Sequence, residues 1–265
     1  MRMCSIASGS SGNCIYVGTD ATHLLVDTGI SGKRIEEGLH ALELSIRDID
    51  GILITHEHAD HISGLGVLLR KREIPVYATR GTIEKIKETK SLGAIPEGLF
   101  QEIREEEHFG IKDIIVAPMQ VSHDAAQPVA YRFRHDKKRV GIITDLGIYN
   151  DYTVECLKGM NAVLLEANHD VRMLETGPYP YPLKRRILGE RGHLSNELSG
   201  KFLSHILHGN MKAVVLGHLS KENNLAELAY ETVRIEITLA DNEFKGNDFP
   251  ITVAKRDCIS EVIHI

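Results

Sequence analysis

Short apolar runs separated by Gly-rich or polar turns fill the first sixty residues. Three of these runs, at 4–7, 14–17 and 24–27, have the length and composition of β-strands. Apolar residues at helical spacing predict a helix over 30–44, and a further strand starts at Gly51. The chain therefore begins as an α/β protein.

The alternation of strands and helices continues after Gly51. Helices are predicted over 62–72, 79–90, 153–158, 195–207 and 222–239. Strands are predicted over 75–78, 111–121, 129–133, 139–144, 162–165 and 213–216. The strands between 111 and 144 leave no room for helices, which favours antiparallel pairing. An even composition without repeats or low-complexity linkers predicts one domain over residues 1–265, with its sheets covered by helices.

Composition and charge narrow the function classes. The net charge of the 265 residues is −6, so a nucleic-acid partner would need a local basic patch or metal ions. We expect no signal peptide, no membrane span and a cytoplasmic location. The dispersed cysteines are typical of reduced, mostly buried thiols; they are Cys4, Cys14, Cys156 and Cys258. The oligomeric state stays open.

The six residues 56–61 read His-Glu-His-Ala-Asp-His and follow an apolar strand directly. His56 and His58 are two apart, so in extended chain they point the same way. Asp60 and His61 fall at a helix start and can face a second point nearby. This spacing suits two metal ions, whereas the alternative is a solvated His-rich turn, for which so specific a pattern is rare.

Other apolar runs also end in a metal-binding side chain; these are His123, Asp145, His169 and His218. Strands that end at the same edge of a sheet bring such residues together. Asp145 is the natural bridging ligand, because a carboxylate offers two oxygens to two ions. We expect one ion on His56, His58 and His123, and the other on Asp60, His61 and His218.

A dinuclear site lowers the pKa of a bridging water, so that hydroxide is available at neutral pH. The same pair of ions can hold the attacking and leaving oxygens of a phosphoester. Histidine and carboxylate ligands suit zinc, manganese and iron alike. The sequence therefore predicts two divalent metal ions without choosing among these three.

The order of Asp27, the segment 56–61, His123, Asp145 and His218 resembles the five motifs of the metallo-β-lactamase superfamily. This resemblance implies an αββα sandwich with a dinuclear site at one edge. It also implies the ligand assignment above and a supporting role for Asp27 behind the ligands. Absence of the signal peptide and cysteine ligand of secreted β-lactamases makes antibiotic hydrolysis an unexpected function.

Four further segments are similar to the YycJ (WalJ) branch of that superfamily; they are 7–14, 177–184, 192–196 and 216–224. Members of the branch are described as DNA exonucleases that run from the 5′ end. The resemblance therefore implies a metal-dependent phosphodiesterase acting on DNA.

Two alternatives remain. One is hydrolysis of a small cyclic phosphodiester, as in the related PhnP branch. The other is a non-catalytic metal-binding partner of a signalling system, which an intact ligand set disfavours because a pure binding module needs no open water position.

The Ser/Gly turn at 8–13 is one candidate for substrate contact. Its glycines permit close backbone approach, and Ser10, Ser11 and Asn13 could contact a phosphate. A bare hairpin turn would have the same sequence character, so both interpretations stay open.

The basic run 184–193 is a second candidate. Its residues Lys184, Arg185 and Arg186 could position phosphates, or could form a solvated helix face. In the stiff segment before it, Tyr179 and Tyr181 are expected to pack against the core, although a ring there could stack on a base.

Three residues are candidates for catalysis besides metal binding. His193 precedes Ser195, a predicted helix N-cap, so it lies near backbone amides suited to an anion. We predict that His193 clamps the scissile phosphate or protonates the leaving group. His169 competes for the same role, and Asp60 completes the set.

Overall fold

The computed structural model describes all residues from 1 to 265. Its strands are β1 (Arg2–Ala7), β2 (Cys14–Gly18), β3 (His23–Val26), β4 (Gly51–Leu53), β5 (Val76–Thr79), β6 (Phe100–Ile103), β7 (Phe109–Ile111), β8 (Ile114–Gln120), β9 (Val129–His135), β10 (Lys138–Ile143), β11 (Ala162–Glu166), β12 (Ala213–Gly217), β13 (Ile251–Val253) and β14 (Ile263–His264). Its α-helices are α1 (Gly32–Ala41), α2 (Ala59–Ile62), α3 (Leu65–Lys71), α4 (Arg80–Glu88), α5 (Asp151–Leu157), α6 (Val171–Thr176), α7 (Tyr181–Leu188), α8 (Asn196–Ile206) and α9 (Ala226–Leu239).

The chain divides into two compact units. Unit 1 comprises Met1–Gln120, Ala125–Lys137 and Lys255–Ile265. Unit 2 comprises Val121–Asp124 and Lys138–Ala254. None of the helices combines the length and apolarity needed to cross a bilayer.

A mixed seven-stranded sheet organises unit 1, in the order β14-β1-β2-β3-β4-β5-β6. Strands β1 to β3 pair antiparallel, whereas β3 to β6 pair parallel. Helix α1 places Ile35 and Leu39 in the apolar core of this unit, and α3 adds Leu68. The helical spacing of these residues is what made the helices predictable from sequence.

Strands β7, β8 and β9 form an antiparallel ribbon within unit 1. The prediction of one strand over 111–121 is wrong at its start, because the chain reverses there between β7 and β8. Lys112 has a φ of 48° in this turn. Asp113 accepts hydrogen bonds from the hydroxyls of Thr19 (3.0 Å) and Thr22, which ties the turn to the strand pair β2–β3.

Four parallel strands, in the order β13-β12-β11-β10, form the centre of unit 2. Every residue of β11 and β12 is buried, as expected for parallel strands covered on both faces. Helices α8 and α9 pack closely at Gly200, where an added Cβ would lie 2.5 Å from the Cβ of Glu236. Ser195 caps α8 as predicted, accepting from the Leu198 amide at 3.2 Å.

Two predicted helices have different bounds in the structure. The helix predicted over 62–72 begins only at Leu65 as α3, and the shorter helix α2 precedes it. The amide of Gly64 donates to the carbonyl of Thr28 at 2.7 Å instead of to a carbonyl of the preceding helical turn, which separates the two helices. The helix over 222–239 begins only at Ala226. The hydroxyl of Ser220 accepts from the Asn223 amide at 3.2 Å and holds the preceding residues in a turn.

The tyrosine and cysteine predictions have mixed outcomes. Tyr181 is 72% exposed on α7, so the expectation that it packs against the core is wrong. All four cysteines are free, as predicted. Cys4 and Cys14 are buried, whereas Cys258 is exposed. Burial raises the pKa of the Cys4 thiol to about 11.

Candidate metal centre

Unit 1 brings together the four predicted ligands that follow β4. The ring centroids of His56 and His58 are 4.6 Å apart, and those of His56 and His61 are 4.1 Å apart. Asp60 lies in the first turn of α2, with Oδ2 3.5 Å from Nε2 of His61. The short helix α2 thus carries both Asp60 and His61.

Asp27 contacts this cluster through His61. It follows β3 with a φ of 61°, and its Oδ2 accepts a hydrogen bond from Nδ1 of His61 at 2.7 Å. The amide and hydroxyl of Thr55 also donate to Asp27, each at 2.9 Å. Because Nδ1 of His61 is engaged, its Nε2 is the nitrogen available to a metal ion.

Asn13 braces the Ser/Gly turn against the ligand segment. Its amide nitrogen donates to the carbonyl of Asp60 at 2.8 Å, and its Nδ2 lies 3.3 Å from Nε2 of His61. Its Oδ1 accepts from the Gly9 amide at 3.0 Å. Asn13 is fully buried, whereas Ser10 and Ser11 are exposed on the turn. Of the three predicted contacts, only the two serines face solvent.

Unit 2 brings together the remaining predicted ligands around Asp145. Oδ1 of Asp145 lies 3.6 Å from Nε2 of His123 and 3.6 Å from Nδ1 of His218. Asp145 and His218 have φ values of 55° and 53°, which L-residues adopt at a cost of about 1–3 kcal/mol each. Such strained residues cluster at functional sites, and here they aim side chains from the ends of β10 and β12.

Glu166 is a functional residue that sequence reasoning missed. It ends β11 and is fully buried. Its Oε1 accepts from Nδ1 of His193 at 2.8 Å and from Nδ1 of His218 at 2.9 Å. Its Oε2 accepts from the amides of Leu146 at 2.9 Å and Leu194 at 3.2 Å. Each carboxylate oxygen of Glu166 thus accepts two hydrogen bonds. Glu166 therefore orients the two histidines and is poorly placed to be a metal ligand.

The pKa of Glu166 reflects this network. Burial alone would raise the pKa, but the charge of His193 and the hydrogen bonds from His193 and His218 overcome burial and lower it to about 2. The carboxylate is therefore ionised at neutral pH. The sequence signal was a single acidic residue closing an apolar run, at the same kind of strand end as Asp145.

The donor set fits divalent metal ions. Nδ1 of His61 is held by Asp27, Nδ1 of His218 by Glu166, and Nδ1 of His123 by the carbonyl of Gly192 at 3.0 Å. Metal-bound histidines have this arrangement, with the remote nitrogen left for the ion. Burial lowers the pKa of His123, which favours the neutral form that a metal ligand requires.

The two remaining histidines of the site differ in their surroundings. His193 has 13% of its side chain exposed, and its Nδ1 is held by Glu166. His169 is 1% exposed, and neither of its ring nitrogens has a hydrogen-bond partner. Burial lowers the pKa of His169 to about 4, although the nearby Glu166 opposes this shift. His169 is therefore neutral at pH 7.

The basic run is a helix whose charges are largely engaged. Lys184 donates to the carbonyls of Glu175 and Gly177, both at 2.8 Å, and Arg186 donates to Oδ1 of Asp124 at 2.9 Å. Arg185 is exposed on α7 and makes no ion pair. Of the three predicted phosphate contacts in this run, Arg185 is the one without an internal partner.

Histidines and aspartates at strand ends, held from behind by buried carboxylates, define a metallohydrolase of the metallo-β-lactamase type. The sequence model of the beta-lactamase superfamily domain matches residues 22–219. The chain therefore belongs to this family.

Within that family the chain belongs to the YycJ/WalJ branch. It is 44% identical over 230 residues to exodeoxyribonuclease YycJ of Bacillus anthracis, covering 86% of each chain. It is 43% identical over 263 residues to exodeoxyribonuclease WalJ of Streptococcus pneumoniae, covering 98% of this chain and 96% of the relative. The metallo-β-lactamase fold protein YhfI from Bacillus subtilis matches over 98% of both chains, with 13% identity and a TM-score of 0.72. The predicted αββα fold class is confirmed.

Proposed function

We propose that the protein is a metal-dependent exonuclease that hydrolyses DNA from 5′ ends. The observation that carries the proposal is the buried Glu166, whose Oε1 accepts from both His193 and His218 beside Asp145. One carboxylate thus orients a predicted metal ligand and a proton donor together. The names of relatives at 43–44% identity, both exodeoxyribonucleases, support DNA as the substrate.

The proposal includes two divalent ions, zinc, manganese or iron, with ligands assigned by the motif order of the family. One ion would be held by His56, His58 and His123, the other by Asp60, His61 and His218, and Asp145 would contribute to both. When bound, the ions activate water for attack on phosphorus and neutralise charge on the phosphoryl oxygens. We also propose that residues 1–265 form a single domain. With DNA as its substrate, the protein would act in the cytoplasm.

His193 protonates the leaving oxygen in this scheme. Its Nδ1 is bound to Glu166 at 2.8 Å, so its Nε2 is the nitrogen that can deliver a proton. The hydrogen bond to the carboxylate fixes the orientation of the His193 ring. His169 has no such partner and is neutral, so it is the weaker candidate for the acid.

A substrate panel tests the proposal. The metal-loaded protein is offered end-labelled DNA, end-labelled RNA, a cyclic nucleotide and a chromogenic phosphodiester, each with and without a chelator. We expect chelator-sensitive cleavage of DNA. Cleavage of the cyclic nucleotide alone would favour the small cyclic phosphodiester, and a metal-replete protein inactive on every substrate would favour a binding role.

His193→Ala tests the acid within this scheme. The variant should fold and bind metal normally, yet lose turnover by roughly 10²–10⁴-fold, the range of general acid catalysis. The matched control is His108→Ala, which removes an exposed histidine of unit 1. Wild-type turnover in His193→Ala would remove His193 from the mechanism.

A further inference from the structure

His169 is a buried imidazole whose hydrogen-bonding groups the protein itself leaves unused. It lies between β11 and α6 and is 1% exposed, and neither Nδ1 nor Nε2 has a partner. A neutral imidazole carries one N–H donor and one acceptor, and burying both without partners costs free energy. Such a group in a native protein calls for an explanation, and a bound ligand is one.

The backbone holds His169 beside the segment that carries His193. The amide of Asn168 donates to the carbonyl of Leu194, and the amide of Asn196 donates to the carbonyl of His169, both at 2.9 Å. His169 and Ser195 form a parallel bridge. His193 is among the groups that act electrostatically on the His169 ring, so the two imidazoles lie near one another.

The neighbouring carboxylates of unit 2 do not supply hydrogen-bond partners for the ring nitrogens of His169. Both oxygens of Glu166 are already occupied by four donors. The carboxylate of Asp170 accepts from the Met173 amide at 2.7 Å and caps α6. His169 is also absent from the clusters of side chains with metal-ligand spacing.

We propose that His169 binds a phosphate or sugar oxygen of the nucleotide that leaves, next to the ester oxygen that His193 protonates. This inference rests on the proposed nuclease function and adds a substrate contact to it. The ring offers an N–H to an anionic or ether oxygen of the substrate. A substrate without a nucleotide on the leaving side has no atom for His169 to hold.

Two variants separate this role from a structural one. His169→Phe keeps an aromatic ring, somewhat larger than the imidazole, and removes both nitrogens, whereas His169→Gln keeps an N–H donor near the position of Nε2. Each full-length, metal-loaded variant is assayed on DNA and on bis(4-nitrophenyl) phosphate, which lacks a leaving nucleotide. His108→Phe serves as the control for replacing a histidine by phenylalanine at an exposed position.

We expect His169→Phe to lower kcat/KM on DNA by about 5- to 100-fold, the loss for one substrate hydrogen bond. Turnover of bis(4-nitrophenyl) phosphate should change by no more than about twofold, and His169→Gln should recover part of the loss on DNA. Metal content should be unchanged. The melting temperature should stay close to that of the wild type, because removal of an unsatisfied polar ring offsets the packing cost of the larger phenyl ring.

Equal losses on both substrates, or undiminished DNA cleavage by a folded His169→Phe, would overturn the assignment. Wild-type protein that cleaves no DNA would overturn the proposed function and this inference with it. The wild-type assay on DNA thus distinguishes failure of the His169 assignment from failure of the function.

Discussion

The substitution Glu166→Gln leaves the side-chain volume almost unchanged but alters the hydrogen bonds that the side chain can make. The carboxylate accepts four hydrogen bonds, two from backbone amides and two from imidazoles. The amides of Leu146 and Leu194 cannot change their donor character, so the single oxygen of glutamine must face them. Its NH₂ group then faces Nδ1 of both His193 and His218.

The two imidazoles can accept from that NH₂ group only by moving their own proton to Nε2. For His218 this blocks the nitrogen that would bind metal, and for His193 it replaces the carboxylate partner of Nδ1 by an amide. We expect metal affinity to fall by about 10- to 100-fold, the usual cost of losing a partner behind a ligand. Turnover at saturating metal should fall by about 10²–10⁴-fold.

Stability should change with a defined pH dependence. The pKa of Glu166 is lowered from 4.5 to about 2 by folding, so the ionised carboxylate stabilises the native state by about 3 kcal/mol. This contribution is present above pH 4.5 and is lost as the pH falls through 2. Glu166→Gln should therefore be less stable than wild type at pH 7, by an amount that shrinks towards pH 2.

Chelator competition, single-turnover kinetics and denaturant unfolding at several pH values measure the three effects. Glu190→Gln, an exposed change on the neighbouring loop, is the matched control. Glu166→Gln protein with wild-type metal affinity and turnover would refute the role of this carboxylate in orienting both histidines.

Three further predictions follow from the same residues and the cysteines. If Asp145 is shared, Asp145→Ala should lower metal content at both positions while His218→Ala chiefly empties one; full occupancy in Asp145→Ala by elemental analysis would contradict this. Since all cysteines are free, activity should be equal with and without reductant, and a thiol reagent should label exposed Cys258 before buried Cys14. Burial lowers the pKa of His169 from 6.5 to about 4, so stability should fall as the pH drops from 6.5 to 4, and His169→Phe should remove that part of the fall in urea unfolding.

Local periodicity was enough to predict most elements of the fold. The apolar runs of β11 and β12 and the helical spacing in α1 lie where the sequence placed them. Errors occurred where tertiary contacts decide the backbone. The break between α2 and α3 depends on the hydrogen bond from the Gly64 amide to the carbonyl of Thr28, a contact that helical spacing cannot reveal.

The candidate ligands could be recognised in the sequence because each is a histidine or aspartate that directly follows an apolar, strand-like run. Glu166 was passed over because one glutamate closing a strand has many ordinary roles. Only the structure shows that it is fully buried and accepts four hydrogen bonds. Similarly, basic residues in sequence do not reveal that Lys184 is tied to backbone carbonyls of its own unit.

The central claim is metal-dependent hydrolysis of DNA from the 5′ end, and a time course on two labelled duplexes tests it directly. One duplex carries the label at the 5′ end of a strand and the other at the 3′ end of the same strand. We predict that the 5′ label is released in short products from the earliest time points. The 3′ label should stay on long fragments that shorten steadily, and a chelator should stop both processes until metal is restored. Early release of the 3′ label, internal cleavage, or cleavage that persists in the chelator would contradict the account.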